Sequence, residues 1–174
     1  MTNQEKLKNL DNRTFEFLNK LEEFPEDKLS FYDEKWSVLQ IIYHIWLAEI
    51  SSEKYIRTKI QYPETIIKTP VTSSVKAFLT KYFLLFGLTI NAPKVTTEFP
   101  KEIILEDLKK KWISSRSSFS KLIVELDQKN LSNKAIFRHP LMGRINMSLT
   151  IFFFELHFNH HLKQINKRLN TNVI

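Results

Sequence analysis

Apolar residues recur every three or four positions in four long stretches of the chain, and polar residues fill the intervals. In the first, Leu7, Leu10, Thr14, Phe17, Leu18 and Leu21 share one face of a helix from about Asn3 to Glu23, stopped by Pro25. Thr2 and Glu5 match a capping box, in which each side chain satisfies a backbone N–H of the first turn. A loop is expected from there to about Trp36. A second capping box, Ser37 and Gln40, opens a helix that should run to about Tyr62, before Pro63. Its stretch from Ile41 to Ala48 is apolar on nearly every side, the mark of a helix buried on more than one face, and His44 is its one strongly polar side chain. A third helix is predicted from about Leu105 to Asp127 on the stripe Leu105, Leu108, Trp112, Phe119, Leu122 and Leu126. A loop containing Asn130 to Asn133 and His139-Pro140 follows. The fourth helix begins after Asn146, a good N-cap, and continues to about Leu169.

The connection from Pro63 to Pro100 is less regular. Val75, Phe78, Leu79, Tyr82, Phe83 and Phe86 predict a short extra helix ending near Gly87, with loop over Asn91 to Pro100. A connection of that length can carry the chain across a bundle instead of straight back. The expectation is an all-α four-helix bundle, one domain over residues 1–174, with the short helix between the second and third long ones.

Composition narrows the chemistry. The chain has 174 residues, enough for a full core without staples, and only two glycines, Gly87 and Gly143. That scarcity argues against all-β folds and phosphate-cradling loops, which need glycine at positive φ. With no cysteine, disulfides, thiolate metal sites and cysteine nucleophiles are excluded. There is neither a basic-then-apolar leader nor an apolar run of about 18 residues, so a cytoplasmic protein with no membrane partner is expected. The net charge of +7 raises the question of polyanions. The densest basic stretch, Lys109-Lys110-Lys111 with Arg116 and Lys121, follows Glu106 and Asp107 and lacks interleaved aromatics. It reads as a solvated helix face, not a nucleic-acid surface.

The candidate chemistry lies in the histidines. Met147, Ile151, Phe154, Phe158, Leu162, Ile165 and Leu169 form the apolar stripe of the fourth helix. At 100° per residue, His161 sits about 60° and His157 about 100° from Phe158, on the same side. Their i, i+4 spacing lets two imidazoles converge on one ion. His160 points about 160° away, beside Lys163 and Lys167, as an outward bystander. His44, buried in an apolar helix, needs a partner, since an unpartnered imidazole costs about 1–3 kcal/mol. Either a backbone carbonyl or a metal shared with His157 and His161 would supply one, and periodicity does not choose between them.

The order Trp36-Ser37 leading into a helix with His44, then His139-Pro140-x-x-Gly143, then His157-x-x-x-His161 followed by Gln164-Ile165, resembles the DinB-like superfamily, which includes the bacillithiol transferases. The resemblance spans most of the chain, although residues 63–100 match none of its motifs. It implies an up-down-down-up four-helix bundle holding a divalent metal with one ligand on the second helix and two on the last, hence His44, His157 and His161. Zn²⁺ or Ni²⁺ suits three neutral imidazoles with open positions. His139 corresponds to the His-Pro turn and reads as part of the loop.

Two functions follow. One is a metal-dependent enzyme, a hydrolase or thiol S-transferase, acting on a small molecule such as a thiol. The other is a non-catalytic binding or oligomerisation module with a structural or vestigial histidine cluster. The exposed aromatics near Tyr82 to Phe86 suit a homodimer. Glu49 and Glu53 are expected to serve in ion pairs, and no catalytic residue is assigned.

Overall fold

A computed structural model describes residues 1–86 and 96–174. The predicted end of the short helix at Gly87, and the first half of the loop expected over Asn91 to Pro100, lie outside the described residues. The rest is mostly helical, with one small hairpin: α1 (Asn3–Leu21), α2 (Glu26–Ser30), α3 (Val38–Lys59), α4 (Val71–Leu85), α5 (Leu105–Gln128), β1 (Phe137–His139), β2 (Gly143–Ile145) and α6 (Met147–Leu169).

The helix starts follow from side-chain capping. Thr2 with Glu5 and Ser37 with Gln40 form both halves of a capping box, and the Asn146 side chain accepts the Leu149 N–H. Helices α1 and α3 each pack against both α5 and α6. Their facing stripes make the main core, in which Phe17, Ile42, Ile56, Trp112, Phe154 and Phe158 are fully buried. Phe17 meets Phe158 edge-on at 5.5 Å, the arrangement favoured by the ring quadrupoles.

Two parts expected to be loop are structured. Residues 26–30 form a turn of helix that inserts Leu29 into the core. The His139-Pro140-x-x-Gly143 motif is the tip of the β1–β2 hairpin, with Phe137 opposite Ile145 and His139 opposite Gly143. Gly143 has φ +74°, where a side chain would be strained, and His139 Nδ1 accepts the N–H groups of Leu141 and Met142 at 3.2 Å each. Three-residue strands escape pattern reading because two alternations are too few to register.

The basic stretch on α5 divides. Lys109 pairs with Glu22 and Lys110 with Glu106, both toward the surface, but Arg116 is buried. Its guanidinium binds both oxygens of Glu49 at 2.7 Å and Asp11 at 2.5 Å, while Trp112 Nε1 donates to Glu49 at 2.9 Å. Arg116 therefore does not belong to a solvated face; it joins α1, α3 and α5 through the interior. Glu49 serves in an interhelix ion pair as expected, and Glu53 pairs with Arg57 one turn along α3 and accepts from Ser118 of α5. Removing one member of a buried ion pair strands the other, a loss of about 3–5 kcal/mol. Arg116→Ala should lower the unfolding free energy by about that amount in urea titrations, whereas Lys110→Ala should leave the midpoint unchanged.

Candidate metal centre

Helix α3 presents His44 toward α6, from which His157 and His161 project one turn apart. His44 Nε2 lies 3.1 Å from His157 Nε2, and His161 Nε2 lies 3.0 Å from the same atom. The three donor atoms fall within 4.8 Å of one another, a group that can hold a metal ion. Tetrahedral zinc at about 2.0–2.1 Å from each nitrogen would separate neighbouring donors by about 3.3 Å, close to the separations of His157 from His44 and from His161.

The outer ring nitrogens decide the protonation of the inner ones. His44 Nδ1 is 2.7 Å from the Thr96 carbonyl, which only accepts, so Nδ1 carries the proton and a neutral His44 turns a lone pair inward from Nε2. On α6 the same logic runs through a chain of partners. His160 Nδ1 faces the Leu84 carbonyl at 3.4 Å, leaving its Nε2 to accept from Gln164 Nε2 at 3.1 Å. That turns the amide oxygen of Gln164 toward His161 Nδ1 at 2.9 Å, where it accepts a proton, and His161 also directs a lone pair inward. Among the described residues, His157 Nδ1 is buried without a hydrogen-bond partner. Its ring lies near-parallel to Phe153 at 5.3 Å, and Phe153 in turn contacts His139 at 4.1 Å.

Burial keeps these rings neutral. It lowers His44 below the ordinary imidazole range, partly opposed by the Thr96 carbonyl. It pushes His157 well below that range, with His161 and His44 adding repulsion, and brings His161 down to about 3. His139, buried beside Phe153, falls to about 4. Neutral imidazoles need not lose a proton to take up a cation.

His44 bonds a backbone carbonyl through Nδ1, which leaves its Nε2 free to face the other two histidines. Trp36 lies 4.9 Å from the His44 ring and is flanked by Phe99, so the Trp-Ser motif places an aromatic wall beside the group as well as a helix cap. His160 corrects the helical phase argument. It is half-buried rather than outward, because α4 packs over that side of α6, and a wheel drawn for one helix cannot show a second helix covering its polar flank. His139, expected in a loop, ends strand β1 and holds the hairpin tip, and it also supports the His157 ring through Phe153. The Thr96 carbonyl gave no signal in the sequence, since any residue has one.

Comparison with known proteins returns no match: no family model fits the chain, and no curated protein or solved structure is significantly similar to it.

Two measurements test the electrostatics. If the Gln164 oxygen sets the His161 tautomer, Gln164→Leu should weaken zinc binding by about 10–100-fold in chelator competition, and Gln164→Glu should restore most of it. The unfolded chain binds protons on these histidines below about pH 6.5, whereas the folded chain resists them. Stability of the metal-free protein is therefore complete above that pH and falls with acidification toward about pH 4, by up to about 1.4 kcal/mol per pH unit for each histidine held neutral. Urea midpoints in chelator at pH 7.5 and 5 read this directly.

Proposed function

We propose that the chain is a DinB-like metalloprotein, a four-helix bundle whose divalent ion is held by His44, His157 and His161 and which promotes reaction of a small-molecule thiol. The observation that carries this reading is the convergence of three imidazole Nε2 atoms from α3 and α6, two of them shown by their outer partners to be lone-pair donors.

Helix pairings support the up-down-down-up order. Gln4 meets Ser120 and Glu22 meets Lys109, so α1 runs against α5. Lys6 meets Ser148 and Arg13 meets Asn159, so α1 runs with α6. Trp46 meets Ser115 and Arg57 meets Glu125, so α3 runs with α5.

A divalent ion in this cage would act as a Lewis acid toward a water or thiol taken up at its remaining positions. The protein's part is to hold three neutral donors in one orientation: Thr96 fixes His44, Gln164 fixes His161 and Phe153 backs His157. Trp36, Phe99 and Phe153 provide apolar surroundings, which strengthen electrostatic interactions within them. Among the described residues no carboxylate joins the histidine group, and Glu49 and Glu53 are engaged on the α5 side of α3. That favours a thiol over water: a thiol of pKa about 8.5 gives up its proton without the help of a base far more readily than water does.

A second reading has its own support. With its proton on Nε2, His157 can donate to His44 or His161, giving a metal-free hydrogen-bonded cluster in a non-catalytic module. Element analysis separates the two. The first requires about one divalent ion per chain, lost in His44→Ala, His157→Ala and His161→Ala while the helical circular dichroism persists. His160→Ala should retain the stoichiometry, its ring being one step removed from the ion. A wild-type protein that binds no zinc, nickel or manganese at micromolar concentration would leave the second reading standing.

A further inference from the structure

Helix α4 carries its large apolar side chains on the wrong side for a helix that merely covers the domain. Ser73, Ala77, Thr80 and Leu84, at spacings of four, three and four, form the face turned toward α6 and β2, with Ser73 Oγ donating to the Arg144 carbonyl. The opposite face, centred about 180° away, consists of Val71, Val75, Phe78, Leu79, Tyr82 and Phe86, which are between 40% and 83% exposed. No described residue covers it.

Its spacing suits another helix. Val71, Val75, Phe78 and Tyr82 are separated by four, three and four residues, the alternation that builds the seam between two helices crossing at about 20°. Leu79 and Phe86 widen the seam on one side. At roughly 100–120 Å² of exposed area for each of its six side chains, the stripe offers about 600–700 Å², above the usual largest apolar patch of a monomer. Doubled, it gives about 1,300 Å², within the range of specific protein interfaces.

We infer that this face is the interface of a homodimer, in which α4 of one copy packs antiparallel on α4 of the second about a two-fold axis near Phe78. Such an interface is self-complementary, so one apolar stripe suffices for both partners. Lys81 flanks the stripe about 110° to one side, whereas Lys76 on the other side reaches back to Gly143; α4 carries no acidic residue, and each chain has a net charge of +7. The two copies therefore bring like charges together at the rim, and association should tighten as salt rises. The same helix lying on an anionic bilayer would behave in the opposite way.

Sedimentation equilibrium tests the inference. Wild-type protein at about 100 μM should run at twice the chain mass, more completely at 0.5 M than at 0.05 M salt. Phe78→Glu with Leu79→Glu should be monomeric with unchanged helical circular dichroism. Because the chain has no cysteine, Phe78→Cys introduces a lone thiol, and oxidation should link two chains through residues brought within disulfide reach at the axis. A wild-type monomer at both salt concentrations, a doubly substituted protein that stays dimeric, or a monomer that binds phosphatidylserine vesicles through Phe78 and Leu79 would each overturn it. If both glutamates unfold the protein, the oxidation result decides alone: no cross-link, no such interface.

Discussion

Two carbonyl oxygens determine what the histidine group can do. The main-chain oxygen of Thr96 and the side-chain oxygen of Gln164 each hold a proton on the outer nitrogen of an imidazole, so the inner nitrogens of His44 and His161 face each other as lone pairs across His157. Lone pairs at such separations repel unless a proton or a cation lies between them. The surrounding apolar side chains make a net charge on any ring expensive, so the three are reconciled either by a neutral His157 carrying its proton on Nε2 or by a cation whose charge the imidazoles share.

Helix α3 shows how one segment serves two purposes. Its apolar circumference lets it lie between α5 and α6, and its few polar side chains sort by face. Glu49 and Glu53 turn to α5, where Arg116, Trp112 and Ser118 satisfy them, with Arg57 of α3 itself also pairing with Glu53; His44 turns to α6. Each polar group is inserted where a specific partner waits, so a shift of α3 by one turn would leave buried charges and an imidazole without partners. The ion network and the histidine group thus constrain the register of α3 from opposite sides.

How much of this was readable beforehand depended on the range of the interaction. The caps at Thr2, Ser37 and Asn146, the four long stripes and the i, i+4 pair on α6 are local, and all appear in the structure as expected. The burial of Arg116 was invisible among neighbouring lysines, because its carboxylate partners lie 67 and 105 residues away. His160 was misplaced because the helix that covers it is distant in sequence. The approach of His44 to His157 could be suggested only by resemblance, since no periodicity relates residues on different helices. The hairpin at His139 and the short helix at Glu26 were too brief to leave a pattern.

The three histidines also span the chain unevenly: 113 residues separate His44 from His157. An ion bound to all three would act as a clasp closing most of the polypeptide into a ring, tying α3 to α6 while α4 and α5 hang between them as a single loop. Opening that ring entropically rewards the unfolded chain more the longer it is. The order in which the molecule comes apart would then depend on whether the clasp is filled, with the segments at either end of the chain free to fray while the enclosed portion stays gathered.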